Sequence, residues 1–554
     1  MPFSSFLRVE RNARRLTEIL AILSKYGLAD WLGGLNYEWL QGRLVSFEGQ
    51  RLGKLTREAR IRLALTELGT TFIKLGQMLS TRPDVVGPEL GRELGQLRSN
   101  APPDPPAAVR ATIAAEFGKE VETLFCDFEE QPLASGSIGQ VHRARLPGGQ
   151  AVVVKVQHAD VVEKIMNDLD IMATLAELLQ KHVAELRPYQ PVAIVREFRR
   201  VILHELDFNS ERRNQEEFLR NFQRDPHVHL PAVYPDWCSR RVLTMELLCG
   251  ISGEDVEGLR MAGVDLDEFA RRGANMYLAM IFRDAFYHAD PHPGNLMMLD
   301  GGVVGVLDCG MVGRIDEQLR EDVENILLAI VQHDAQEMTD IVTRVGSVPV
   351  DLDHDALRLE LSEFVAEYAG LSARELNVSE AVNRATDIIR RYHILLPASC
   401  SLLLKTLAML EGTSRQLNPT ISLAELIRPY SKQSLRRRLS PRRLLFRMQR
   451  TVRDWDRLLT ALPRDLTEVL RRVRTGTFEI RHEHHQLEVT VHRLVLGILT
   501  GALFVGSSLL WSSKAPPAPG DVSIPGIVGY VGSLVLGFRL VWTITHWGGR
   551  DRKP

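Results

Sequence analysis

Residues 288–310 read H-A-D-P-H-P-G-N-L-M-M-L-D-G-G-V-V-G-V-L-D-C-G. Pro291 and Pro293 forbid a helix after Asp290, because proline lacks the backbone N–H and pushes its predecessor out of the α region. Asp290 is therefore expected on a loop. Asp300-Gly301 stands between two short apolar runs, 296–299 and 303–307, which is the strongest short-range hairpin signal. A two-residue turn sets Leu299 opposite Gly302 and Asn295 opposite Val306, with Asp308 two residues further along the same face. Asn295 and Asp308 thereby become diagonal neighbours about 7–8 Å apart at the open end of the hairpin. That gap suits an oxygen-ligated cation that takes its remaining ligands from substrate phosphates, as Mg²⁺ does. A lone D-x-x-x-x-N would be a surface hairpin; three polar residues converging on one end of an apolar hairpin point to a nucleotide–metal site.

Around this stretch lie 554 residues, enough for several domains and a large core. With 45% hydrophobic and 25% charged residues the composition is that of a folded protein. A net charge of −2 argues against nucleic-acid binding by the whole chain. Cys126, Cys238, Cys249, Cys309 and Cys400 form no C-x-x-C, so neither a disulfide framework nor a zinc site is suggested, and a reducing compartment fits. The N-terminus shows no apolar core of secretory length, and Glu10 and Glu18 come early for an acid-poor transit peptide.

Residues 1 to about 100 are expected to be helical, with apolar spacing near 3.6 at Leu16, Ile19, Leu20 and Leu23. Within them, 69–84 reads G-T-T-F-I-K-L-G-Q-M-L-S-T-R-P-D. Lys74 and Gln77 share a helical face, and Phe72, Leu75 and Leu79 are expected to bury another. Spacing alone makes this a solvated face on a core helix. The break A-P-P-D-P-P at 101–106 marks a domain boundary or stiff linker, and a helix follows over 107–117. Residues 132–157 hold two strand-like runs about the Pro147-Gly148-Gly149 turn. Alternation sets Val152, Val154 and Val156 on one face and Val153, Lys155 and Gln157 on the other. A lone lysine in a valine run fits an edge position as well as a site. Ahead of the hairpin, Ala134, Ser135, Gly136, Ser137, Ile138 and Gly139 form a small-residue turn whose backbone N–H groups are able to approach phosphate oxygens. The turn is not G-x-G-x-x-G, and no Walker-A pattern occurs, so Rossmann and P-loop folds lose ground.

Residues 158–224 are expected to be helical, with Glu205 and Glu211, six apart, on different parts of the helix surface. V-L-T-M-E-L-L-C-G at 242–250 reads as a buried strand ending in a glycine turn. Helices resume at Asp265, and beyond Gly313 the chain should be helical to about residue 430. Between 432 and 457, Arg436, Arg437, Arg438, Arg442, Arg443, Arg447, Arg450, Arg453 and Arg457 are interleaved with Leu, Phe, Met and Trp, a basic amphipathic segment suited to an anionic membrane surface. His482, His484 and His485 have no cysteine partner at zinc spacing and read as a solvated juxtamembrane stretch. Residues 494–511 carry no charge and 524–547 only Arg539, so each is long enough to cross a hydrocarbon core of about 30 Å. The short link implies a hairpin, with Gly497, Gly501, Gly529, Gly532 and Gly537 allowing close contact. Positive charges before the first span and after the second put both flanks, and the catalytic part, in the cytoplasm.

Taken together, these stretches resemble the UbiB-like family of atypical kinases from about residue 60 to the end. K-x-G-Q is Lys74-Leu75-Gly76-Gln77, followed by the family's S-x-R-P-D at 80–84. The alanine-rich loop is 134–139, the ExD is Glu205-Leu206-Asp207, and the catalytic D-P-x-P-G-N runs from Asp290 to Asn295. The resemblance implies an α+β, protein-kinase-like two-lobed fold. Its parts would be a helical N-terminal extension (1–106), a small lobe with a helical insertion (107–250), a helical lobe (251–430), a basic juxtamembrane segment (431–492) and a transmembrane helical hairpin (493–547). It implies that Lys155 contacts the phosphates of ATP or ADP with Glu211 as its helix partner, that Asp290 is the catalytic aspartate, and that Asn295 and Asp308 hold Mg²⁺. The 242–250 strand and hinge, with Glu246 and Leu248, would hold the adenine, and the 134–139 loop the phosphates. Lys74, Gln77, Glu205 and Asp207 would form a regulatory lid where a protein substrate otherwise lies.

The sequence departs from the family pattern at two places. D-F-G is replaced by Asp308-Cys309-Gly310, and Gly136 stands where the loop often has alanine. The implied function is a membrane-anchored, Mg-ATP-binding kinase or ATPase supporting ubiquinone or other isoprenoid-quinone synthesis at the inner cell membrane. Anionic lipids, a quinone precursor or prenyl lipid, and quinone-biosynthesis enzymes would be its partners. Two rival readings are a lipid-binding scaffold with a vestigial nucleotide site and a small-molecule phosphotransferase of the aminoglycoside type. The intact Lys155, Glu211, Asp290, Asn295 and Asp308 speak against the first, and the K-L-G-Q element and apolar hairpin against the second.

Overall fold

The computed structural model describes residues 3–28, 55–97, 101–183, 187, 189–349, 351–372, 375–427, 429–430, 487–513, 517 and 524–547. The chain divides into two units, Met1–Ser440 and Pro441–Pro554. The first begins with helices α1 (Phe3–Lys25), α2 (Arg57–Leu68), α3 (Thr70–Ser80), α4 (Pro83–Val86) and α5 (Pro88–Leu94). Gly69, at φ 91°, parts α2 from α3, a backbone angle that side chains rarely permit. Pro83 and Pro88 each open a helix, where their missing N–H costs nothing. Helix α3 buries Thr71, Phe72, Gly76 and Ser80, whereas Leu75 and Leu79 are only half buried. The expected apolar face is thus rotated, because a close contact with Leu97 and Leu65 falls on Gly76, where a Cβ would collide.

Helices α6 (Pro106–Phe117) and α7 (Val121–Leu124) lead into strands β1 (Asp127–Phe128), β2 (Ala134–Ser135), β3 (Gly139–Arg145) and β4 (Ala151–Gln157). Helices α8 (Val161–His182), α9 (Pro191–Glu205) and α10 (Phe208–Phe222) follow, then β5 (Val228–His229) and β6 (Val242–Glu246). The antiparallel sheet runs β1-β3-β4-β6, with β2 also paired to β3. Alternation along β4 holds: Val152, Val154 and Val156 are at most 1% exposed and pack with Val109, Ile113 and Val242, which leaves Lys155 on the opposite face. The single helix expected through 203–214 is two helices. Asp207 accepts the N–H of Asn209 at 3.2 Å and caps α10, so Glu205 closes one helix and Glu211 lies in the first turn of the next.

The larger part of this unit holds β7 (Ile251–Ser252), α11 (Val256–Met261), α12 (Leu266–Leu278), a π-helical turn over Ala279–Asp284, β8 (Phe286–His288), β9 (Leu296–Leu299), β10 (Val303–Val306) and β11 (Val312–Arg314). Five helices complete it: α13 (Glu317–Gln332), α14 (Ala335–Val345), α15 (His354–Ala369), α16 (Val378–Arg391) and α17 (Ala398–Leu417). The β9–β10 hairpin forms, but its link is three residues. Leu299 faces Val303 and Leu296 faces Val306, while Gly301 and Gly302 take φ of 73° and 76°. Asn295 therefore stands opposite Leu307, whose N–H it accepts at 2.9 Å, and not opposite Val306. A second glycine able to adopt the left-handed region lengthens the turn by one and shifts the register.

In the second unit, α18 (Leu487–Ser512) and α19 (Ile524–Trp547) pack antiparallel: Gly532 lies against Leu503, Gly537 against Thr500, and the Phe504 and Tyr530 rings are 4.8 Å apart. Gly501 faces open space, so the close approach comes from the glycines of α19 and not from Gly501 as expected. Among the described residues one segment, Val495–Ser512, is long and apolar enough to cross a membrane, and Ile527–Phe538 is a shorter apolar stretch. The arginine-rich 432–457 segment and His482, His484 and His485 lie outside the described residues.

Candidate functional site

Strand β8 pairs with β11 and delivers the chain to the loop carrying Asp290. His288, 1% exposed, fixes that loop: its Nδ1 accepts the Asp290 N–H at 3.1 Å, so its Nε2–H donates to the carbonyl of Asp308. Asn295 Nδ2 donates to the Asp290 carbonyl and to Asp290 Oδ2, both at 3.1 Å. That use of the amide nitrogen leaves the Asn295 carbonyl oxygen as its remaining polar group. Asp308 Oδ1 accepts the Gly310 N–H at 2.6 Å. From outside, Thr406 Oγ1 donates to the Ala289 carbonyl at 3.2 Å and Thr413 Oγ1 to the Pro291 carbonyl at 2.9 Å, so α17 brackets Asp290. Asp290, Asn295 and Asp308 all line one cavity of about 2450 Å³. They reach it where the backbone leaves the strands, not by sharing a strand face as the two-residue turn implied.

Lys155 meets Glu211 close to Asp308, donating to Oε1 at 2.9 Å and Oε2 at 2.8 Å, with the Phe208 ring 5.3 Å from its Nζ. Burial disfavours the ammonium, yet the carboxylates of Glu211 and Asp308 raise its pKa above the ordinary lysine value. The same ammonium holds the Asp308 carboxyl below its usual range, helped by the Gly310 N–H. Burial pushes the Glu211 carboxyl up against the pull of Lys155, with Asp308 adding to the rise. One cation thus acts on two carboxylates, pairing directly with Glu211 and lowering the pKa of Asp308. The donors present fit Mg²⁺, which takes a carboxylate or two and completes its shell with phosphate and water oxygens. Among the described residues no three His, Cys, Asp or Glu side chains cluster as a metal site.

Ala134, Gly136, Ser137, Ile138 and Gly139 line the same cavity; Ser135 does not. The loop is closed by Gly136 N–H donating to the Gly139 carbonyl at 2.9 Å, and a Cβ at Gly139 would run into the Val156 backbone. Gly136 is not in the left-handed region, so its conformation does not require glycine. Glu246 and Leu248 do not line the cavity. Glu246 instead faces His229 Nε2 at 3.1 Å and accepts the Ala232 N–H at 3.0 Å, and Leu248 packs on Gly305. Cys309, 1% exposed, belongs to the core of the larger lobe, and burial raises its thiol pKa.

Helix α3 forms the cavity's far wall with Lys74 and Gln77. Lys74 is ion-paired with Glu205, and Gln77 Nε2 donates to the Leu97 carbonyl at 2.9 Å. Asp207 does not line the cavity, being spent as the α10 cap. Buried ties anchor the ends of α3. Thr71 Oγ1 donates to Asp168 Oδ2 at 2.5 Å, and Arg15 Nε donates to Asp168 Oδ1 at 2.8 Å. Beyond the other end, Arg82 pairs with Asp84 at 2.8 Å, and Ser401 Oγ donates to Asp84 Oδ1 at 3.2 Å. His288, two residues before the loop aspartate, is legible in the sequence as a site residue, whereas Thr406, Lys405 and Asp168 carry no local signal and join the site only by tertiary packing.

Family models match three segments: an ABC1 atypical kinase-like domain over 96–342, a UbiB helical domain over 361–422 and an ABC1/UbiB kinase-like C-terminal domain over 479–546. The probable protein kinase UbiB of Pseudomonas paraeruginosa is 33% identical over 475 residues, covering 82% of this chain and 87% of that protein. That of Aeromonas salmonicida is 32% identical over 532 residues, covering 93% and 97%. A solved structure, the erythromycin complex of Rv3197 from Mycobacterium tuberculosis, aligns at 21% identity and a TM-score of 0.46 over 66% of this chain and 92% of that one. The mixed helical and sheet fold is atypical-kinase-like, and the chain belongs to the UbiB family of atypical kinases.

Proposed function

We propose that this chain binds Mg-ATP or Mg-ADP and acts as an atypical kinase or ATPase. The observation that carries this reading is the convergence of the Lys155–Glu211 pair with Asp290, Asn295 and Asp308 on one cavity. Lys155, held by Glu211, contacts nucleotide phosphates, and the 134–139 loop covers them. Asn295 and Asp308 hold Mg²⁺, which when bound neutralises charge on the phosphates. Asp290 receives the proton of the acceptor oxygen, and His288 keeps Asp290 and Asp308 at a fixed separation. Lys74, Gln77 and Glu205 act as a lid that leaves room for water or a thin acceptor and excludes a folded protein substrate.

The second unit anchors the chain. Helices α18 and α19 form a membrane hairpin with both flanks in the cytoplasm, and the 432–457 arginines bind anionic lipid. Membership of the UbiB family supports a role in isoprenoid-quinone synthesis, with a quinone precursor or prenyl lipid as ligand and quinone-biosynthesis enzymes as partners. The test is Mg²⁺-dependent ATP hydrolysis by the full chain in vesicles, alongside quinone-precursor profiles in a deletion strain. Lipid-stimulated turnover and accumulation of a precursor are expected. Nucleotide binding without any turnover would favour the scaffold reading instead.

A further inference from the structure

Helix α17 presents a cation that none of these roles uses. Lys405 sits among Leu403, Leu404 and Leu407, and its side chain lines the cavity. Its ammonium donates to Ser80 Oγ at 3.0 Å, and among the described residues no carboxylate pairs with it. An ammonium carries three donors, so two N–H groups remain uncommitted. The next residue, Thr406, is bonded to the Ala289 carbonyl, and Thr413, two turns on, to the Pro291 carbonyl. Those two bonds hold Lys405 beside Asp290. Burial pushes its pKa down, and Asp290 is the group that opposes the fall.

A terminal phosphoryl group in transfer carries its charge on three equatorial oxygens, and sites that accelerate the transfer surround those oxygens with fixed cations. The loop D-P-H-P-G-N at 290–295 contains no lysine or arginine. Lys155 is held by both oxygens of Glu211, Lys74 is paired with Glu205, and Arg82 is shared among Asp84, Glu197 and the Leu396 carbonyl. Of these four cations, Lys405 is the one whose charge interacts with Asp290 and which keeps donors to spare. We propose that Lys405 contacts the terminal phosphoryl group on the side facing the acceptor, supplying from α17 the charge that the Asp290 loop lacks. This inference rests on the nucleotide reading above. In the step, the acceptor oxygen of water or a hydroxyl bonds to the terminal phosphorus and the bridging P–O bond breaks. The bridging electron pair stays on the ADP oxygen, the acceptor's proton passes to Asp290, and Lys405 keeps its own proton throughout.

The full chain in vesicles is compared with Lys405→Met and Lys405→Arg by titrating Mg-ADP and a non-hydrolysable β,γ-imido ATP analogue, by hydrolysis at saturating ATP, and by thermal melting. Lys405→Met is expected to leave Mg-ADP affinity and melting unchanged while weakening the analogue about tenfold, the size of one charge-assisted hydrogen bond. Hydrolysis should fall by about 100-fold, since transition-state charge is affected more than ground-state binding, and Lys405→Arg should restore part of it. Equal weakening of both nucleotides with a lowered melting temperature would make Lys405 a structural tether to Ser80 and overturn the inference. Unchanged hydrolysis in Lys405→Met would overturn it too, with the nucleotide reading left standing. Failure of the unmodified chain to bind either nucleotide would overturn both.

Discussion

Two lysine–glutamate pairs line the cavity, and they are built differently. Lys155 and Glu211 come from a core strand and a core helix, are joined by two hydrogen bonds, and leave Glu211 9% exposed. Lys74 and Glu205 come from α3 and the last residue of α9, share one carboxylate oxygen, and leave Glu205 31% exposed. The first pair is part of the packing that defines the small lobe. The second spans two elements whose own stability is secured elsewhere: α3 at its base by Thr71, Asp168 and Arg15, and beyond its other end by Arg82, Asp84 and Ser401. A charge pair that packing does not depend on is free to open, and a lid needs that property.

The largest effect should come from Lys155→Met. It strands Glu211 and removes the charge that keeps Asp308 ionised, so nucleotide affinity should be lost and stability should fall by about 3 kcal/mol, the order expected for breaking a buried pair. Denaturant melts and nucleotide titration measure both. The pH response sharpens the point. Because the folded Asp308 carboxyl is held below its usual range, its contribution is fully present above the unfolded pKa and disappears only as pH falls through the lower folded value. Nucleotide-bound protein should therefore survive below about pH 4, the ordinary aspartate range, and any residual binding by Lys155→Met should fail at higher pH.

Next in size is Asp168→Asn at the base of α3. Asp168 is 1% exposed and binds both Arg15 and Thr71, so the substitution should cost about 2 kcal/mol and loosen the N-terminal block in hydrogen exchange. Lys74→Ala should cost under about 1 kcal/mol, as partly exposed pairs do, yet raise autophosphorylation while impairing the natural role. A large stability loss in Lys74→Ala, or no change in activity, would erase the contrast between the pairs. Smallest is the membrane effect: vesicle binding should need acidic lipid and weaken in high salt, each basic residue near the surface contributing about 1 kcal/mol.

The same contrast explains what the sequence disclosed. Pro291 and Pro293 put Asp290 on a loop, and valine alternation placed Lys155 opposite the buried face, because both signals are local. The hairpin register was missed because Gly302 adopts φ 76° and adds a residue to the turn, which pairing preference alone does not reveal. A helix running on through 203–214 breaks at Asp207, whose side chain is an N-cap, a signal that the helical span 158–224 overlooks. Lys405 lies 115 residues beyond Asp290 and reaches it only through the bonds of Thr406 and Thr413. No spacing pattern links residues that tertiary packing alone brings together.

On the proposed reading Asp308, with Asn295, would hold the magnesium that ties a nucleotide to this cavity. Titration of Asp308→Asn with ADP, with and without Mg²⁺, tests it most directly. The substitution keeps size and a hydrogen-bond acceptor but removes the charge, so Mg²⁺-dependent affinity should vanish, while the nucleotide-free protein, losing the attraction of Asp308 for Lys155, should melt lower yet stay folded. Mg-ADP affinity equal to that of the unmodified chain would contradict the account.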